Sequence, residues 1–219
     1  MESFTTAQGR FIVDELISSI QDNKQYLSDI DGAIGDGDHG INMNKGFTLC
    51  QQELAKTPGD LTHCFNTLSK ILMTKIGGSM GPLYGMFFRS MAKACSGKEL
   101  IDSKTFGIML QAALYGINSI SQAKISDKTL LDTLVPAAGA YQQAVTDGKS
   151  FADALAAMKE AAIIGRDSTK DLVAKVGRSS RLGERSRGTL DAGAVSCCLI
   201  LCSMADTVKR LINSTTVTD

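Results

Sequence analysis

The sequence predicts an all-α protein of about eight helices around a single core. Three observations carry that expectation. Apolar residues recur at helical spacing in one segment after another, no stretch sustains the period-two alternation of a strand or shows a hairpin signal, and the connections between periodic segments are short. Short connections favour antiparallel neighbours. At 219 residues and 43% hydrophobic content the chain is long enough to bury such a core. With no linker, low-complexity tract or composition break, 1–219 reads as one domain.

The first helix is expected from about Thr6 to Leu27, on the stripe Ile12, Val13, Leu16, Ile17, Ile20, with a threonine cap at its start. An Asp-rich loop follows, and then a second helix on Met43, Phe47, Cys50 and Leu54, ended by Thr57-Pro-Gly. Asp60 caps a third helix that carries Leu61, Cys64, Phe65, Leu68, Ile71 and Leu72 and stops at Gly77-Gly78. The fourth holds Leu83, Tyr84, Phe87, Phe88 and Met91 and ends near Gly97; the fifth spans residues 103 to 122. A sixth starts near Asp127 or Lys128, with an internal kink expected at Pro136. Ser150 caps an alanine-rich seventh helix reaching about Lys175, and after a loop from Gly177 to Leu190 the last helix covers Asp191 to Ile212.

Composition excludes several functions. With 23 basic and 23 acidic residues the net charge is zero, and no basic stripe of a nucleic-acid binder is visible. The N-terminus has no basic segment leading into an apolar one, and no apolar run reaches about 18 residues. A cytoplasmic protein that touches neither nucleic acid nor membrane is expected. The six cysteines contain no CxxC pair and sit among apolar residues, so they read as reduced, small core hydrophobes rather than zinc ligands.

Three stretches ask for chemistry. The first is Asp31-Gly-Ala-Ile-Gly-Asp36-Gly-Asp38-His39-Gly40, with three carboxylates and four glycines in ten residues. Adjacent carboxylates repel and glycine loses backbone freedom on folding, so the run is unfavourable unless a cation holds it or it is a plain acidic turn. Neither EF-hand frame works: from Asp36 the fifth position is Gly40 and the twelfth Phe47, and from Asp31 the third is Ala33. Mg²⁺ takes few carboxylates and leaves its other positions to water and phosphate, which fits better.

The second stretch, Gly77-Gly78-Ser79-Met80-Gly81, precedes the fourth helix and aims backbone N–H groups and the helix dipole at one place, either as an anion site or as a simple stop and cap. It lacks the Walker A pattern. The third, Gly177 to Gly188, holds Arg178, Arg181, Arg185 and Arg187 with Ser179, Ser180 and Ser186. Guanidinium pairs bidentately with phosphate, so the loop suits a phosphate or nucleotide, the alternative being a solvated basic loop.

Asp31-x4-Asp36-Gly-Asp38-His39-Gly40-x-Asn42-Met43, Gly77-Gly78-Ser79-x-Gly81-x-Leu83-Tyr84, Asp127-Lys128-Thr129-x2-Asp132-x3-Pro136, and Gly177-Arg178-Ser179-Ser180-x-Leu182-Gly183-Glu184-Arg185-Ser186-x-Gly188-x2-Asp191-x-Gly193-Ala194 follow one another in this chain. Together they strongly resemble the ADP-binding L subunits of bacterial dihydroxyacetone kinase. The resemblance covers essentially the whole chain, whose length is similar to that of the stand-alone subunits.

What the resemblance implies is an eight-helix antiparallel up-and-down barrel with a nucleotide site at one end. ADP or ATP would be chelated through two Mg²⁺ ions by Asp31, Asp36 and Asp38. His39, Asn42, Gly78, Ser79 and Leu83 would line the phosphate and nucleoside site, Thr129 would lie near the nucleotide, and Arg178 and Asp191 would close it. One departure is visible: Asp191-Ala192-Gly193-Ala194 stands where the family commonly reads Asp-Pro-Gly-Ala, which should loosen the start of the last helix slightly. The resemblance places the acceptor sugar on a histidine of a separate K subunit, so no catalytic residue is expected here, and His63 reads as a surface or core residue.

The implied partners are that K subunit, a phosphohistidine M-type protein of the phosphoenolpyruvate-dependent phosphotransferase system, a transcription regulator as a further candidate, and a second copy of the chain in a homodimer. Alternatives left open are a paralogue acting on a keto-tetrose and a regulator that signals through its ADP state.

Overall fold

The computed structural model describes residues 2–215; the one-domain expectation for 1–219 also takes in residue 1 and residues 216–219, which lie outside the described residues. The all-α expectation holds, with nine α-helices among the described residues where about eight were expected. The extra one comes from the first segment. Thr5 caps a 3₁₀ turn, Thr6–Gly9, that leads into α1 (Arg10–Asp22), and the chain then breaks at Asn23 before α2 (Lys24–Ile34). Asn23 causes the break: its side-chain amide and its own N–H both bond the Ser19 carbonyl, which competes with regular helix continuation.

α2 therefore runs through Asp31 and ends only at Ile34, so Asp31 stands in a last helical turn rather than in a loop. The Asp-rich connection shrinks to residues 35–38, and it is Gly37, at φ +76°, that makes the turn. Gly40 serves packing instead. It lies inside α3 (His39–Lys56), where a Cβ would run into the Lys24 carbonyl and Ser28 of α2.

α4 (Leu61–Lys75) and α5 (Met80–Cys95) follow as expected, the first with the Asp60 side chain accepting the His63 N–H. Two short strands were not expected. β1 (Ser3–Thr5) pairs antiparallel with β2 (Leu100–Asp102), Phe4 opposite Ile101, and both of those side chains are fully buried. Three residues per strand are too few to display a period.

α6 (Ser103–Asn118) stops short of residue 122 and α7 (Leu131–Thr146) starts later than Asp127. Ser126 and Lys128 between them hold left-handed backbone, which no helix continues through. α7 runs unbroken past Pro136; the Asp132 carbonyl, denied its helical donor by that proline, faces Gly165, where a Cβ would collide with it.

α8 (Phe151–Ser168) ends well before Lys175, because the Thr169 and Leu172 carbonyls are drawn off by the Lys128 ammonium. A 3₁₀ stretch, Arg178–Ser186, occupies the arginine-rich loop, kinked at Gly183, and α9 (Ala192–Thr215) completes the chain.

Helix contacts run from α1 to α3, then in chain order through α4, α5, α6, α7 and α8 to α9, which packs back on α1. The interior of this circuit is filled. Phe88 meets Phe47, Phe65 and Phe87 at ring-centroid distances of 6.2, 5.4 and 4.9 Å, and truncating such a side chain to alanine costs about 3–5 kcal/mol. Phe106, Tyr141 and Phe151 form a second aromatic group. All six cysteines are free thiols, five of them buried. Among the described residues no helix is long and apolar enough to cross a membrane. β1 and β2 sit at the C-terminal end of α5 and the N-terminal end of α6, the opposite ends of those helices from the cavity described next.

Candidate nucleotide and metal site

A cavity of about 630 Å³ opens at one end of the helix circuit. Its lining includes the first residues of four helices: His39 of α3, Met80 of α5, Leu131 of α7 and Ala192 of α9. Each helix N-terminus presents unpaired N–H groups and a positive dipole end, so four of them converging make a strong anion environment where the sequence had suggested one. Three of the four lack the usual cap bond, and in two of those three the cap residue is polar. Asp38 at the start of α3 and Ser79 at the start of α5 make no side-chain bond to their own helix, which leaves a carboxylate and a hydroxyl for a ligand.

Asp31, Asp36 and Asp38 converge from the last turn of α2, the connection and the cap of α3, with ligand atoms all within 4.8 Å of one another. That separation lets one cation, or two sharing ligands, draw on all three carboxylates, the oxygen-only donor set Mg²⁺ takes. The Asp31 carboxylate also accepts the His39 N–H at 3.2 Å. Arg178 reaches across from the opposite wall and forms an ion pair with Asp36.

His39 is neutral in this setting. Burial pushes its pKa down to about 4, and its Nε2 is 2.9 Å from the Ser196 hydroxyl of α9. Ser196 in turn lies 2.7 Å from the Tyr84 hydroxyl of α5 and donates to the Gly193 carbonyl, so one buried polar chain ties the starts of α3, α5 and α9 together. Asp191 caps α9 by accepting the Ala194 N–H at 2.7 Å; burial pushes its pKa up to about 7, against the pull of that N–H and of Lys128.

The residues that the resemblance assigns to the site all line this cavity, namely Asp31, Asp36, Asp38, His39, Asn42, Gly78, Ser79, Leu83, Thr129, Arg178 and Asp191, whereas of the other loop arginines and serines only Ser179 does, and Ser180, Arg181, Arg185, Ser186 and Arg187 stand outside it. Thr129 also holds the start of α7, its N–H donating to Asp132 at 2.7 Å and its hydroxyl accepting the Leu131 N–H. His63 lies elsewhere, exposed on α4 with Nε2 against the Thr57 carbonyl. Sequence reasoning missed Ser196 and the apolar wall of Ile117, Ile120, Leu130, Leu131 and Val176. That wall suits the faces of a planar ring system, and nothing sets its residues apart from ordinary core positions in the sequence.

The DAK2 domain model matches residues 33–206. The chain belongs to the DAK2 domain family. Among relatives of this DAK2 protein, the PEP-dependent dihydroxyacetone kinase 1, ADP-binding subunit DhaL, of Listeria innocua is 42% identical over 86% of this chain and 89% of its own length. The corresponding ADP-binding subunit of Escherichia coli is 33% identical over 85% of this chain and 89% of that one. A solved structure of similar fold is the dihydroxyacetone kinase of C. freundii in complex with AMP-PNP and Mg²⁺, with a TM-score of 0.64 at 22% identity. The similarity covers 89% of this DAK2 chain and 33% of that longer one.

Proposed function

We propose that this chain is the nucleotide-bearing subunit of a dihydroxyacetone kinase, passing phosphate from a Mg²⁺-bound nucleotide in the cavity to dihydroxyacetone held on a separate K subunit. The observation that carries this is the juxtaposition of three cation-binding carboxylates with four helix N-termini in one cavity. Phosphoryl transfer needs positioning and charge neutralisation more than covalent chemistry by the protein, and this cavity supplies both. Relatives of matching length are named as ADP-binding subunits of PEP-dependent dihydroxyacetone kinases, which supports the same reading.

Two Mg²⁺ ions on Asp31, Asp36 and Asp38 neutralise the phosphate charge when bound. Ser79 and the N–H groups at the starts of α3 and α5 hold the phosphates, and the apolar wall takes the base. Neutral His39, its Nε2 engaged by Ser196, presents its other ring nitrogen in a fixed orientation. Arg178 exchanges Asp36 for a phosphate when the site fills. As one domain arranged as a helix barrel, the chain works in the cytoplasm and keeps ADP as a resident cofactor, rephosphorylated in place by a phosphohistidine M-type protein.

The test is biochemical. The purified protein should carry about one equivalent of ADP through gel filtration in Mg²⁺ buffer and show no turnover of dihydroxyacetone until a K subunit and a phosphohistidine donor are added. No affinity for ADP or ATP by calorimetry overturns the reading.

A further inference from the structure

Lys128 is 2% exposed, yet it lies beside the nucleotide cavity on left-handed backbone at φ +63°. Left-handed backbone crowds the Cβ of any such side chain against the following carbonyl, so something must hold it there. Its Nζ lies 2.6 Å from the Thr169 carbonyl, 3.1 Å from that of Leu172 and 2.5 Å from that of Thr189. An ammonium has three protons, and these three carbonyls take all of them. Lys128 therefore has no proton left for a phosphate, although an Asp-Lys-Thr sequence at a nucleotide cavity invites that role.

The three acceptors straddle the arginine-rich loop. Thr169 and Leu172 lie just before it and Thr189 just after it. Between 171 and 190 only Ala174 and Ser186 are buried, so apolar packing does little to hold the loop. Its neck is closed by polar contacts instead: the Gly188 N–H to the Lys170 carbonyl, the Asp191 N–H to Thr169 Oγ1, and the Ala174 N–H to Ser186 Oγ. Two other charged groups help, the Arg187 guanidinium donating to the Asp171 carbonyl and Lys175 pairing with Asp127, but among the described residues the Lys128 ammonium is the buried one, and it reaches both sides of the neck from just before α7.

We infer that Lys128 is a positioning residue for the nucleotide site: its ammonium clasps both ends of the 172–190 loop, sets Arg178 over the phosphate region and slows nucleotide release. The nucleotide part of this inference rests on the function proposed above, while the clasp can be read without any ligand. Lys128→Gln keeps two donors and Lys128→Met keeps none, so the two variants grade the effect.

Trypsin supplies a ligand-free readout, because Arg178, Arg181, Arg185 and Arg187 all lie on the loop. Cleavage there should rise from wild type to Lys128→Gln to Lys128→Met, by roughly tenfold or more at the far end. ADP release in Mg²⁺ buffer should accelerate in the same order while the association rate stays within about twofold. The wild-type protein gives a check that needs no variant: one lysine ammonium should show slowly exchanging protons by nuclear magnetic resonance, and that signal should vanish in Lys128→Gln.

A loop cut no faster in Lys128→Gln, or no protected ammonium signal, overturns the clasp. So does a loss of ADP affinity that arises in the association rate with loop cleavage unchanged, since it would make Lys128 a phosphate ligand. If wild type binds no ADP, the proposed function falls, and the clasp still stands or falls on cleavage and the ammonium signal.

Discussion

The two walls of the cavity are built in opposite ways. The metal wall stands on α2 and α3, whose backbones touch at Gly40 and whose inner faces carry Leu27, Ile34, Met43 and Phe47 into the core. The closing wall, 172–190, has almost no buried apolar surface and hangs from hydrogen bonds at its neck. Buried contact density sets local unfolding free energy, so the first wall holds its shape before any ligand arrives and the second opens at low cost. The proposed function, which has the site both hold a phosphate tightly and admit it, calls for both kinds of wall. They meet at the Arg178–Asp36 ion pair.

Asp36→Asn should give the largest effect because it touches both walls at once, removing a proposed cation ligand and the partner of Arg178. Calorimetry with ADP and Mg²⁺ should show affinity reduced by roughly a hundredfold or more; unchanged affinity would sink the metal assignment. Mg²⁺ alone should bind weakly, since three carboxylates without a phosphate repel one another.

Two glycine substitutions separate the walls by stability. Gly40→Ala drives a methyl group into the α2 backbone and should cost about 1–3 kcal/mol of global stability in urea denaturation. Gly183→Ala has open space around it but sits at φ +53° and ψ −130°, backbone that a Cβ opposes, so it should cost about 1–3 kcal/mol locally, read as faster tryptic cleavage of the loop, and leave global unfolding in urea little changed. Equal costs would mean the walls are not as different as their burial says.

Arg178→Ala should be smaller still for the fold. Its ion pair with Asp36 is largely exposed, and such pairs contribute at most about 1 kcal/mol. Its effect should appear as ADP affinity weakened by roughly tenfold.

The smallest expected effect is a near-flat pH dependence of stability in metal-free buffer, which hides two opposing slopes. His39 titrates near 4 when folded against an ordinary 6.5, so its contribution is present above 6.5 and is lost as pH falls toward 4. Asp191 titrates near 7 against an ordinary 3.8, so its contribution is present below 3.8 and is lost as pH rises through 7. Melting temperature between pH 4 and 7 should therefore rise with pH in Asp191→Asn and fall with pH in His39→Gln. The same slope in both variants would contradict this assignment.

The metal wall was legible in the sequence because its chemistry is local: three carboxylates within eight residues announce themselves whatever the fold. Even so, the sequence reads Asp31 as part of a loop, since composition cannot show that α2 restarts after Asn23 and carries it to a helix end. The helical core was legible for the same reason of local period. The closing wall was legible only as composition. That Lys128 takes the Thr169 and Leu172 carbonyls and so ends α8 early is a contact across more than forty residues, and no window of sequence contains both partners. Ser196 was invisible because a buried serine on a helix looks like any other small residue.

The return of α9 onto α1 has a consequence for biosynthesis. α1 leaves the ribosome early with Ile12, Val13, Leu16, Ile17 and Ile20 on one face, and a large part of the cover for that face is the last helix to emerge. Through most of translation the nascent chain thus shows a sticky aliphatic strip to the cell, a natural target for holding chaperones. The same late helix brings Asp191 and Ser196, so the cavity is among the last features of the molecule to be finished.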